Sequence, residues 1–314
     1  MSRARQYRMR RHHRSPAVAL LVCGTLLFAV APAAAQVSRD TIAVTETGAT
    51  VERVDYSSDG YEVYGYLATP AGPGPFPVVV RLRGGNRSFG AYTPERAVRS
   101  LSQLAEWGYL AIAPQYRGAT DPEEGPSADE FGGSDVDDIF TMIDLLPELE
   151  PAADTSRVGL DGWSRGGMMA LLALRRSDRF RAAVLLGSLS DLDRMAADRP
   201  VMLEVYEDLF GTPDSTEFNR RIRARSGVRW PGELPVDTPI LILHGGSDWR
   251  VSPLQSLDLA AGLQEAGRFY RILVVEGADH SLTDAAAERD AERRAWFDRF
   301  VRDLDPVRPE PESD

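Results

Sequence analysis

Arg157-Val158-Gly159-Leu160-Asp161-Gly162-Trp163-Ser164-Arg165-Gly166-Gly167-Met168-Met169-Ala170-Leu171-Leu172 changes its periodicity half-way. Arg157–Asp161 reads as a short strand. Arg165–Arg175, rich in Met, Ala and Leu, reads as a helix. The turn between them, Gly162-Trp163-Ser164-Arg165-Gly166, fits G-x-S-x-G in the strand-turn-helix setting that motif requires. A serine on so sharp a turn sits in strained backbone with its neighbours packed close. Gly162 and Gly166 leave room for that approach, and Gly167 lets the helix lie on the sheet. The turn lifts the Ser164 hydroxyl above the carboxyl edge of the strands, and the helix N-terminus faces any oxyanion formed there. Ser164 is therefore read as a nucleophile.

Outward from this turn, strands and helices alternate. Val51–Tyr56 and Glu62–Ala68 flank Ser58-Asp59-Gly60 and predict a hairpin. Pro77–Leu82 is a β-branched strand leading to Gly84-Gly85. Pro94–Trp107 has helical spacing with Gly108 at its end, and Tyr109–Ala113 is the next strand. Ser134 is expected to cap a helix with Asp135, Asp137 and Asp138 in its first turn and Pro147 at its end. Arg181–Leu186, Pro239–Leu243 and Tyr270–Val275 are further strands; Pro253–Ala266 and Ala285–Leu304 are further helices. Apolar strands separated by amphipathic helices predict an α/β fold: a mostly parallel central sheet with helices on both faces. Residues 188–236 break the rhythm with Pro200, Gly211, Pro213, Pro231 and Pro235, and read as a lid-like insertion. The expected organisation is a linker at 36–50, one catalytic domain at 51–305 and a frayed tail at 306–314.

Serine at neutral pH needs a base. His280, in Gly277-Ala278-Asp279-His280-Ser281, follows a strand on the same sheet edge as Ser164 and comes last, as the order Ser, Asp, His requires. His244 reads instead as part of the turn that carries the acid. That acid, which orients the imidazole, is read as Asp248 in His244-Gly245-Gly246-Ser247-Asp248. Asp191 is the rival; Asp279 is adjacent to the base and Asp161 is read as locally paired.

Composition excludes other chemistries. With 43% hydrophobic and 26% charged residues, the 314-residue chain has an ordinary globular balance. All 36 Lys+Arg residues are Arg, so P-loop, Schiff-base and Ser-Lys chemistry are out. The only cysteine is Cys23, which excludes a cysteine-rich metal site or disulfide framework. No metal or organic cofactor is expected. A net charge of −11 argues against nucleic acid as a partner. Residues 1–16 hold six Arg and no acid, Ala17–Val30 is apolar or small, and Ala33-Ala34-Ala35 precedes Gln36. Together these read as a secretory signal peptide spanning 1–35, too short in its apolar run to cross a membrane. Its removal takes the charge from −11 to −17 and leaves an exported protein without stable membrane insertion.

These residues together resemble the catalytic domain of the prolyl oligopeptidase family of serine peptidases, within the α/β-hydrolase superfamily. The resemblance runs from about Val51 to Leu304. It rests on the Ser58-Asp59-Gly60 hairpin with Gly65-Tyr66-Leu67, Pro77–Val80 leading to Gly84-Gly85, and Tyr116-Arg117-Gly118. It also includes the Ser164 turn, His244–Asp248 with Val251 and Pro253, and Gly277–His280. The elbow marks only the superfamily; Tyr-Arg-Gly with the acid loop is more specific. The resemblance implies Ser164, Asp248 and His280 as the triad and an acyl-enzyme mechanism. Family members often carry a β-propeller ahead of this domain. The stretch from Gln36 to Val51 has no room for one, so exclusion of folded substrates is not expected. Arg83 stands where the family often has His or Tyr, whose hydroxyl in some members donates to the oxyanion. Arg83 is therefore carried as a candidate donor beside the Arg165 amide and amides around Gly84 and Gly85. Arg165 stands where Tyr is frequent.

The expected activity is hydrolysis of peptide bonds in small peptides, with carboxylesterase activity on small acyl esters as the rival. An inactive binding protein on the same scaffold is the alternative of another class. Arg117 is read as a loop brace. Trp249 and Arg250 read equally as pocket lining or solvent-facing loop.

Overall fold

The computed structural model describes residues 37–119 and 129–307. The expected signal peptide and most of the expected tail lie outside the described residues. At Asp59-Gly60 both residues take positive φ, 51° and 84°, a turn whose twist matches that of the strands it joins. It sets β2 (Thr50–Ser58) antiparallel to β3 (Tyr61–Thr69), in register from Ser58↔Tyr61 to Thr50↔Thr69. Residues 36–50, expected as a linker, hold a further strand, β1 (Ser38–Val44), paired antiparallel with β2. β1 is largely exposed, so it lacks the apolar alternation by which a strand is recognised.

The sheet continues with β4 (Phe76–Leu82), β5 (Leu110–Pro114), β6 (Ala153–Trp163), β7 (Phe180–Leu186), β8 (Ile240–Gly245) and β9 (Tyr270–Val275). The nine strands lie in the order β1-β2-β3-β5-β4-β6-β7-β8-β9. β3 meets β5 antiparallel, and every pairing from β5 to β9 is parallel. This is the α/β-hydrolase arrangement, and its central strands read as continuous apolar runs because both faces are covered. Alternate residues serve two cores: Val78 and Val80 of β4 and Ile240 and Ile242 of β8 join one, Val79, Leu241 and Leu243 the other. Each of these side chains contributes about 1.5–3 kcal/mol by leaving water.

The first core is covered by α2 (Asp137–Leu149), α3 (Arg165–Arg176) and α7 (Leu254–Glu265), the second by α1 (Pro94–Glu106) and α8 (Ala286–Phe297). Thr93 caps α1 by accepting from the Arg96 amide. Two expectations fail around α2. Pro147 lies inside the helix, on its exposed side, and the Glu150 amide still donates to the Leu146 carbonyl at 2.8 Å. The proline removes one ladder bond without stopping the helix. Ser134 does not cap α2: its hydroxyl donates to Glu130 at 2.8 Å, and a short 3-10 turn, Ser134–Val136, intervenes.

Between β7 and β8 the chain forms α4 (Leu192–Asp198), α5 (Val201–Phe210) and α6 (Thr216–Arg225). Their inward residues, among them Met195, Tyr206, Phe210 and Ile222, join the first core.

Candidate active site

Parallel strands deliver their following loops to one edge of the sheet, and the predicted residues converge there. Ser164 joins β6 to α3 with φ 57° and ψ −121°, a backbone conformation strained for any side chain but glycine. Three bonds hold it: its amide donates to Leu186 at 2.9 Å, and its carbonyl accepts from Gly167 at 2.9 Å and Leu189 at 3.1 Å. The flanking glycines are required by approach. A Cβ on Gly162 would stand 2.3 Å from the Gly166 carbonyl oxygen, and one on Gly166 2.0 Å from that of Leu82.

Asp248 follows β8 and His280 follows β9. His280 Nδ1 lies 2.7 Å from Asp248 Oδ2. A carboxylate accepts only, so the imidazole carries its proton on Nδ1 and leaves Nε2 as the acceptor. Trp163 packs its ring 5.5 Å from that of His280 and donates from Nε1 to the His280 carbonyl at 3.3 Å. The other oxygen of Asp248 accepts from the amides of Arg250, at 2.8 Å, and Val251, at 3.0 Å. Burial alone would raise the Asp248 pKa. Hydrogen bonds from His244 and His280, the charge of His280 and the Val251 amide instead hold it well below the usual carboxylate range.

His244 shapes the turn that carries the acid, as its sequence reading expects. Its Nε2 lies 3.1 Å from Asp248 Oδ2 and 2.9 Å from the Val251 carbonyl. Both partners accept, which puts the ring proton on Nε2. Nδ1, 2.6 Å from Ser256 Oγ, then accepts from that hydroxyl. Asp191, the rival acid, is an N-cap: it accepts from the amides of Asp193 and Arg194 at the start of α4. Asp279 accepts from the amides of Ser281 and Thr283, and buried Asp161 pairs with Arg81 and Arg293.

Ser164 and His280 line two adjoining cavities of about 120 Å³ and about 400 Å³. Gly85, Phe89 and Arg250 line both. Gly84 packs directly on the serine; a Cβ there would be 3.0 Å from Ser164 Cβ. A roomier cavity of about 670 Å³, against the 129–133 segment and α6, includes none of Ser164, Asp248 and His280. Among the described residues no three His, Cys, Asp or Glu side chains are grouped to hold a metal ion, and no helix is long and apolar enough to cross a membrane.

The model of the prolyl oligopeptidase family matches residues 97–303 of this sequence, two thirds of the chain. The chain belongs to the prolyl oligopeptidase family. An uncharacterized peptidase of Bacillus subtilis strain 168, YtmA, is 30% identical over 214 residues, covering 67% of this chain and 78% of the relative. A second from the same organism, YuxL, is 27% identical over 271 residues, 80% of this chain and 39% of the relative. The acylaminoacyl peptidase of Pyrococcus horikoshii superposes with a TM-score of 0.68 at 24% identity, over 83% of this chain and 42% of that one. The chain thus spans about two fifths of the length of YuxL and of the acylaminoacyl peptidase.

Both positions where this family member departs from the frequent residue are filled by buried arginines with structural partners. Arg83 was expected as a candidate oxyanion donor, but its guanidinium is taken up by backbone. It donates to the carbonyls of Gln115 at 2.9 Å, Gly84 and Arg87 at 3.0 Å, and Phe89 at 3.4 Å, and it lines neither cavity. The reason is geometric: the loop after β4 folds back over the guanidinium and uses it as a brace. Burial and the nearby Arg165 lower its pKa to about 10, so it remains charged at neutral pH.

The Arg165 side chain makes a two-pronged contact with Asp129, at 2.7 and 2.8 Å, pairs with Asp135, and donates to the Gly85 carbonyl at 3.1 Å. It also lies 4.5 Å from the Phe131 ring. The helix after Ser164 is thereby tied to the 84–90 loop and to the segment before α2. Sequence reasoning missed Asp129 and assigned Asp135 and Asp138 to the helix dipole. Both are fully buried, and Asp138 pairs with Arg117 at 2.6 Å. The one available signal was the presence of two arginines, Arg83 and Arg165, in apolar-looking turns, since a buried guanidinium requires acceptors.

Proposed function

We propose that this chain is an exported serine hydrolase that cleaves peptide bonds in small peptides through Ser164, His280 and Asp248. The observation carrying the reading is the 2.7 Å contact between His280 Nδ1 and Asp248, in a family member whose Ser164 and His280 line the same cavities. In this reading His280 Nε2 takes the Ser164 hydroxyl proton as the oxygen attacks the acyl carbonyl. The amides of Arg165 and of Gly84 or Gly85 hold the oxyanion. The imidazolium, stabilised by Asp248, passes its proton to the leaving amine, and the C–N bond breaks to give the acyl-enzyme. Water enters, gives a proton to His280 and attacks the ester. The acid leaves and Ser164 recovers its proton. The peptidase names of YtmA and YuxL support an amide leaving group. The basic, then apolar, then Ala-rich start of the sequence supports export.

The test is intact-mass and peptide mapping after fluorophosphonate treatment, followed by kcat/KM on a matched peptide amide and ester. A single adduct on Ser164 with measurable amide turnover is expected. Ester turnover alone would replace the peptidase reading by a carboxylesterase. A folded protein that takes no adduct and turns over neither substrate would leave a binding scaffold.

A further inference from the structure

Two arginines stand at the mouth of the Ser164 cavity and are not used by the mechanism. Arg250 lies two residues after Asp248, and its backbone is fixed by its amide hydrogen bond to that carboxylate at 2.8 Å. Arg199 ends α4 and donates from Nη1 to the Arg250 carbonyl at 3.3 Å. The guanidinium carbons stand 4.8 Å (Arg250) and 5.6 Å (Arg199) from the centre of the Trp249 ring. Both side chains line the cavity that holds Ser164 and His280. A third arginine, Arg96, lines the adjoining part.

Among the described residues none of the three has a carboxylate within 4 Å, although Arg–Asp and Arg–Glu pairs are abundant elsewhere in the chain. The acid in the lining, Asp279, keeps its charge but turns its oxygens to Ser281 and Thr283. In a chain of net charge −11, three arginines against the one carboxylate of Asp279 across the two adjoining cavities leave a net positive potential where a substrate enters. Guanidinium planes bind carboxylates as paired N–H donors. Leu189, Met195, Met202 and Val251 form an apolar part of the wall, beside Asn86 and the paired Arg165.

We propose that the substrate carries a carboxylate, which Arg199 and Arg250 hold against the Trp249 edge while an apolar group fills the cavity beside Ser164. This rests on the hydrolase reading and names its substrate class. The carboxylate has two chemical sources: the free C-terminus of the peptide, on the leaving side, or an Asp or Glu side chain.

The test uses the full chain with two matched peptide pairs, one differing as C-terminal carboxylate against carboxamide, the other as internal Glu against Gln. Turnover gives kcat/KM. Calorimetric binding to the Ser164→Ala variant gives affinity whether or not turnover is seen, so failure of the hydrolase reading and failure of this inference are read separately. The acid member of at least one pair is expected to win by roughly 10- to 100-fold, and the pair that responds identifies the source. The preference should collapse toward unity in Arg199→Gln/Arg250→Gln. Arg199→Glu alone should reverse the sign, toward a peptide with Lys in place of Glu. Equal kcat/KM and equal affinity within both pairs, or a preference that survives the double variant, would overturn it.

Discussion

Asp248→Asn changes almost no volume and removes one charge, so its consequence can be followed atom by atom. The carboxylate accepts from the amides of Arg250 and Val251 and from His280, and His244 Nε2, which donates to the Val251 carbonyl, stands 3.1 Å from it. Asparagine offers one oxygen and one NH2 group. If the oxygen keeps the backbone amides, the NH2 group faces two imidazoles that also donate. His280 must then move its proton to Nε2, where it can no longer accept from Ser164. If the oxygen turns to the imidazoles, the NH2 group meets two amide N–H groups. The first arrangement costs His280 its acceptor and the second leaves the two amides facing an NH2 group, while His244 keeps the Val251 carbonyl in both. The rate should fall by about 10⁴, equivalent to about 5.4 kcal/mol of transition-state stabilisation. Two charge-assisted hydrogen bonds at about 1.5–3 kcal/mol each, offset by relief from burying the charge, leave a stability loss of about 2 kcal/mol. Asp191→Asn is the control. Asp191 only accepts from two amides at the start of α4, and asparagine caps a helix equally well, so the rate should hold within a few-fold. The assay is kcat/KM on one substrate for wild type and both variants, with urea unfolding in parallel. Asp248→Asn keeping its rate within tenfold, or Asp191→Asn losing more, would refute the reasoning.

Two further outcomes bear on the scaffold. Arg117→Ala should cost about 3–5 kcal/mol in urea unfolding, because it leaves Asp138 buried without its 2.6 Å partner; a loss under 1 kcal/mol would show that water replaces the guanidinium there. Burial opposes ionisation of Asp129, but the charge and hydrogen bonds of Arg165 and the Arg87 and Phe131 amides win and bring its pKa from 3.8 to about 2. The folded value lies below the unfolded one, so this stabilisation is fully present above pH 3.8 and lost as pH falls through about 2. Wild-type stability should therefore decline across that window more steeply than that of Asp129→Asn; parallel curves would count against the pairing.

Most strands were legible because a parallel sheet covered on both faces leaves uninterrupted apolar runs such as Val78–Val80 and Ile240–Leu243. The Asp59-Gly60 turn was legible because few residue pairs take two positive φ angles. β1 was not, since an exposed edge strand carries no apolar alternation. At the site, Ser164 and His280 were marked by their turns, and Asp248 by its place after a strand. The buried network of Arg165, Asp129 and Asp135 was hidden for a different reason. Arg165 is distant in sequence from both acids, and only the folded loops show that an arginine and two acids share one dry space. His244 was legible as part of the acid-bearing turn, but its contact with the Val251 carbonyl depends on how the 244–251 loop closes.

The proposed base rides on the last strand of the sheet. β9 has a neighbour on one side only, β8, and most of its side chains are no more than half-buried. Ser164 and Asp248, the proposed nucleophile and acid, follow strands flanked on both sides. An edge strand opens at lower free energy than the centre, and any detachment of β9 carries His280 away from a partly intact centre. Heat or denaturant should therefore silence the enzyme before it melts: activity is lost at a milder condition than the bulk spectroscopic signal, and returns on cooling as the strand anneals.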